Sequence, residues 1–179
     1  VAVLIVVAGC VFRFLWLDRL PGINGDEAYL AVQIAHWIRS EPFTLTTPTG
    51  MFINPLLALS HWVLMKLFAP DFFLLRAPVA AWACVGIALF CVLHRRTYGS
   101  WLDALLATAL FSSMPMHLAT SRINWDASYL PMVSAWVLFA SVRLADGNWR
   151  RRDLALLIGA AVACLWIHMS SVAFLGLIA

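Results

Sequence analysis

The chain has 179 residues, of which 63% are hydrophobic and 12% charged, and its mean hydropathy is +0.88. Soluble domains of this size carry about 25% charged residues, so the composition excludes an ordinary soluble globule and predicts an integral membrane protein. The net charge of +3 comes without a basic stripe, interleaved aromatics or zinc-finger spacing, so no nucleic-acid partner is expected.

In chain order, apolar runs stand at Val1–Leu17, Met51–Phe68, Ala77–Leu93, Leu102–Ala119, Ala127–Leu144 and Leu154–Ala179. About twenty helical residues cross a hydrocarbon core of about 30 Å, so each run is a candidate span and the fold class is all-α. The chain starts at Val1 and stops inside an apolar run, which reads as a fragment of something longer, and residues 1–179 form a single transmembrane module. Cys10, Cys84, Cys91 and Cys164 lie within apolar runs and read as packing residues.

After the first run, Pro21, Gly22, Asn24 and Gly25 turn the backbone sharply. Asp26 then occupies an N-cap position with Glu27 in the first turn, and Leu30, Ile34 and Trp37/Ile38 follow at helical spacing. One reading is a well-capped interfacial helix, whose acids complement the positive end of its dipole. The other is a catalytic acid pair at a membrane surface.

Orientation follows from two basic links, Arg95-Arg96 and Arg143 with Arg150-Arg151-Arg152, both expected in the cytoplasm. Counting back from them, Ala77–Leu93 begins outside, and residues 18–76 form one long extracytoplasmic loop. Met51–Phe68 is then an interfacial or re-entrant helix, which suits its Asn54-Pro55 start, His61 and Lys66. This gives about five transmembrane helices. Six spans with Val1 outside is the alternative.

The link between the third and fourth spans carries His117, Arg122 and Asp126. Arg122 and Asp126, four apart, pair across a continued helical turn in one reading. In the other they join Asp26 and Glu27 on the outer face, where ionisable groups at membrane depth mark function. Arg76 reads as a snorkelling anchor or a phosphate ligand. His36 and His61 read as headgroup contacts, His94 as cytoplasmic surface, His168 as polar packing with Ser170 or Ser171, and Asp103 and Asp153 as first-turn acids.

Taken in order, several motifs resemble the GT-C superfamily of membrane glycosyltransferases, close to the protein O-mannosyltransferase and aminoarabinose transferase families. They are Gly25-Asp26-Glu27-Ala28 after a first span, Asn54-Pro55, Leu74-Leu75-Arg76-Ala77-Pro78, two basic residues before Tyr98-Gly99, and Pro115-Met116-His117 followed by Ser121-Arg122 and Asp126. Relatives often carry Pro-Pro where this chain has Asn54-Pro55, and they run much longer. The resemblance implies a helical bundle with two interfacial "jaw" helices in the first outer loop, and inverting transfer of a sugar from a polyprenyl-phosphate donor to a protein, lipid or glycan acceptor. It implies Asp26 as general base, Glu27 orienting Asp26 or the acceptor, Asp126 holding acceptor or metal, and Arg122 with Arg76 on the donor phosphate. Mg²⁺ or Mn²⁺ held by Asp26, Glu27, Asp126 and His117 is one version, and a metal-free reaction is the other. The expected location is the bacterial inner membrane, multi-pass, with the site facing outward. The rival reading is half of a transporter or lipid flippase with an outward-facing polar cavity.

Overall fold

Three of the described helices, those starting at Gly25, Phe72 and Trp101, begin where a side chain accepts a free N–H group of the first turn. The computed structural model describes residues 1–48, 50, 52–147 and 149–167, and only the backbone of Pro55, Leu56, Asp126 and Ala127. His168, Ser170 and Ser171, and the rest of the run Leu154–Ala179 beyond residue 167, lie outside it. The described residues are helical and form no strand, with one isolated bridge between Thr46 and Phe52. The helices are α1 (Ala2–Phe14), α2 (Gly25–Ile38), α3 (Pro55–Leu67), α4 (Phe72–Tyr98), α5 (Trp101–Ser113), α6 (Pro115–Thr120), α7 (Leu130–Ala145) and α8 (Arg151–Ile167), with a 3-10 turn at Asp126–Tyr129.

The caps correct the expected boundaries. Asn24, not Asp26, caps α2: its Oδ1 accepts from Glu27 N at 2.7 Å, which leaves Asp26 and Glu27 together in the first turn. Asp71 caps α4 by accepting from Leu74 N at 2.6 Å, so the helix expected from Ala77 starts five residues earlier and takes Pro78 into its interior. It ends at Gly99, whose φ of 75° is the left-handed geometry that glycine adopts without a steric penalty. With 27 residues, α4 is the one described helix long and apolar enough to cross a membrane. The run Leu102–Ala119 does not continue as one helix. It breaks at Met114, which the following Pro115 holds out of the helical region, at ψ 120°. The expected helical turn from Arg122 to Asp126 is also absent, because α6 stops at Thr120.

Ring and backbone contacts set the helix directions. Phe14 meets Phe73 (ring centroids 6.2 Å apart), and a Cβ on Gly9 would touch Ile87, so α1 and α4 are antiparallel. Phe90 stacks on Phe111 at 4.5 Å and Arg95 sits over Trp101, so α5 returns along α4. Trp82 meets Tyr129, and Gly86 meets Met132, so α7 runs parallel to α4, and α8 turns back with Arg143 facing Asp153 at 3.6 Å. Leu30, Ile34, Leu57, Val79, Val133, Val137 and Cys164 form a core shared by α2, α3, α4, α7 and α8. Since α1 ends where α4 begins, α2 and α3 leave and rejoin the bundle at the same end.

His61 pins α3 there. It is fully buried rather than at a headgroup surface, with Nδ1 2.7 Å from Leu57 O and Nε2 2.5 Å from Leu75 O. A neutral imidazole carries one N–H, so two carbonyls favour the charged ring, while burial opposes it. Burial prevails and lowers the pKa from its ordinary 6.5.

Two outcomes follow from this packing. A Cβ on Gly86 would lie 3.1 Å from Met132 Cβ and 3.4 Å from its Cα. Gly86→Val is therefore expected to lower stability by about 1–3 kcal/mol, read as a drop in melting temperature. For His61 the unfolded chain binds the proton more tightly than the folded one. Its stabilising contribution is complete above the ordinary 6.5 and shrinks as pH falls towards the lowered folded value. Melting temperature should fall between about pH 7.5 and about pH 5.5, and His61→Gln should reduce that fall; an unchanged fall would place the acid sensitivity elsewhere.

Candidate functional site

The turn between α1 and α2 satisfies the carbonyls of Phe14 and Trp16 from its own backbone, and arginines take those of Leu15, Leu17, Leu20 and Pro21. Arg76, in the second turn of α4 and 2% exposed, sends Nη1 to Leu17 O at 3.0 Å and to Pro21 O at 2.7 Å. Arg122, which follows α6, sends Nη1 to Phe12 O at 2.7 Å, Nε to Leu20 O at 3.1 Å and Nη2 to Leu15 O and Leu20 O. Burial, and secondarily the nearby Arg76, lower the Arg122 pKa from its ordinary value. Two cations held this close to one turn supply a locally positive field.

Glu27 answers it. Its carboxylate is 0% exposed and takes a two-pronged pair from Arg76, Nε to Oε1 and Nη2 to Oε2, both at 2.7 Å. Oε1 also accepts Asn124 N at 3.0 Å. One carboxylate therefore ties the start of α2, the start of α4 and the segment after α6. The two acidic stretches, about a hundred positions apart, meet through this bond.

Asp26 has the opposite environment. One residue along a helix rotates the side chain by about 100°, and Asp26 is exposed where Glu27 is buried. It makes no hydrogen bond or ion pair with any described residue. Asp126 opens the 3-10 turn two positions after Asn124, with its side chain outside the described atoms.

His117 is buried and accepts at Nδ1 from Arg13 Nη2, so its neutral ring carries the proton on Nε2. Arg13, fully buried on α1, also donates from Nη1 to Gly9 O at 2.8 Å and to Ser112 O at 3.2 Å. Of the side chains expected around a divalent cation, Glu27 and His117 are thus committed to arginines. Among the described residues no three His, Cys, Asp or Glu converge as a donor set.

Three participants escaped the sequence reading: Arg13, the capping role of Asn24, and Asn124. Arg13 carried a signal, as a charge inside an apolar run. Asn124 carried none, because its part is played by a backbone N–H. Its side-chain amide is buried and unpartnered among the described residues. Compared with family models, with curated proteins and with solved structures, the chain matches none.

Removing one partner of a buried pair leaves a stranded charge, so Glu27→Gln or Arg76→Met should each cost about 3–5 kcal/mol. The double substitution should cost clearly less than the two summed, as read by denaturation of all four proteins; simple additivity would mean the pair is not coupled.

Proposed function

We propose that the chain carries the catalytic residues of a multi-pass membrane glycosyltransferase of the GT-C type, which moves a sugar from a polyprenyl phosphate to an acceptor with inversion. The observation that carries this reading is the split within one acidic pair. Glu27 is locked inside by Arg76 and Asn124 N, and Asp26, on the same helical turn, is exposed and unpartnered. A general base must reach its substrate from a fixed position, and a buried, multiply bonded neighbour supplies that fixity.

The membrane part of the proposal draws on composition and packing. The helix α4 has the length for a crossing, and α1, α5 and α8 turn large apolar side chains outward, among them Leu4, Phe12, Leu106, Leu110, Ile158 and Trp166. The helix directions support five crossings, with α2 and α3 on the outer surface as jaw helices. The Glu27 site then faces outward and the arginine-rich links face the cytoplasm.

In the mechanism, Asp26 takes the proton from the acceptor hydroxyl or amine as that atom attacks the anomeric carbon. The glycosidic C–O bond breaks on the opposite face, and the polyprenyl phosphate leaves with the electron pair. Negative charge grows on the departing phosphate, where the field of Arg122 and Arg76 is most useful. Both guanidiniums are already hydrogen-bonded within the protein, so they act here as fixed charges rather than as mobile clamps. Asp126 holds the acceptor.

Asp26→Asn leaves the cap at Asn24 intact and removes the base. In membranes carrying the full-length protein, sugar transfer should fall by roughly 10²–10⁴ with the melting temperature unchanged. Undiminished transfer would reject Asp26 as the base.

A further inference from the structure

The helix directions sort the charges unevenly. Arg95, Arg96, Arg143, Arg150, Arg151 and Arg152 all lie at the end of the bundle where α4 and α7 finish and α8 starts. Three acids accompany them: Asp103, Asp146 and Asp153. Asp153 is engaged, 3.6 Å from Arg143 Nε and accepting Arg150 N at 2.8 Å. The other six basic residues, at the Glu27 end, are matched by the other six acids. The whole net charge of +3 therefore sits at one end. Arg96, Arg151 and Arg152 are exposed there and form no ion pair among the described residues.

A groove of about 240 Å³ reaches that end between the parallel helices α4 and α7. Its walls are mostly apolar, with Phe90 and Leu93 facing Ala135, Leu138 and Phe139; His94 and Thr97 add polar groups towards its end, where Tyr98 and Val142 close it. Near that end Arg143, 3.6 Å from Asp153, lies over the groove residue Phe139, and Arg95 lies over Trp101 on the neighbouring α5. A largely apolar slot at the end that also carries the unpaired Arg96, Arg151 and Arg152 fits a molecule with an acyl chain and an anionic head.

We infer that this end of the bundle binds an acidic phospholipid, with its phosphate among the arginines and part of one acyl chain in the α4–α7 groove. A basic pocket between helix ends attracts anionic headgroups, and the groove adds a term that depends on chain length. The inference rests on the membrane reading above but not on the chemistry assigned to Asp26.

The test uses full-length protein in a neutral detergent, titrated with phosphatidylglycerol or with phosphatidylcholine of the same chains, with melting temperature and lipid retention as readouts. Phosphatidylglycerol should raise the melting temperature and phosphatidylcholine should not, and glycerol 3-phosphate alone should leave it unchanged. Arg95→Gln with Arg96→Gln, and separately Arg150→Gln with Arg151→Gln and Arg152→Gln, should weaken phosphatidylglycerol binding by about fivefold for each arginine removed. Ala135→Phe, which fills the groove, should remove the dependence on chain length while keeping some headgroup preference. Equal response to the two lipids, or full phosphatidylglycerol binding by both arginine variants, overturns the inference. Sugar transfer by wild-type protein in purely phosphatidylcholine vesicles is read separately, so loss of lipid selectivity and loss of the enzymatic reading are distinguishable.

Discussion

The buried pair of Glu27 and Arg76 is the constraint around which this end of the molecule is arranged. Taking both charges out of water is expensive, and their attraction offsets that cost only when the geometry is good and the remaining polar atoms are satisfied. Here the guanidinium makes two bonds to the carboxylate and two to backbone carbonyls, and the carboxylate takes a third donor from Asn124. A slip of α2 against α4 by one residue would break both guanidinium–carboxylate bonds at once. The pair thus fixes register between elements that the hydrophobic core alone would position less sharply.

The arginines also explain how an irregular turn is held between packed helices. Backbone carbonyls that are buried need donors, and the turn after α1 supplies its own only for Phe14 and Trp16. Arg122 and Arg76 bring further donors from segments that are distant in sequence. Arg13 does comparable work one turn earlier, bridging α1 to the end of α5 and to His117. Cations committed in this way contribute charge and rigidity, and among the described side chains of the cluster Asp26 remains an exposed acid without a hydrogen bond or ion pair.

The two ends of the bundle differ in kind. At the Glu27 end positive and negative groups balance, and many of the cations are spent on internal bonds. At the other end the arginines are in excess and several are exposed. This polarity follows from helix direction: α4 and α7 both run towards the arginine-rich links, and α5 and α8 both leave from them.

The all-helical character, the helix starts near Gly25 and Arg151 and, in the five-span reading, the return of residues 18–76 to one end were legible in the sequence by itself. Each depends on local chemistry: capping, turn composition or the spacing of charges. The sequence reading misplaced the cap at Asp26 because aspartate and asparagine are both good caps, and only the extended backbone at Asn24 chose between them. It also set His61 at the surface, whereas the packing of α3 on α4 buries it. The tertiary structure alone decided that Glu27 turns inward and Asp26 outward, and that Arg76 answers Glu27. Those outcomes depend on which helix faces which across about fifty to a hundred residues of chain, and a linear pattern of residue types holds no record of that pairing.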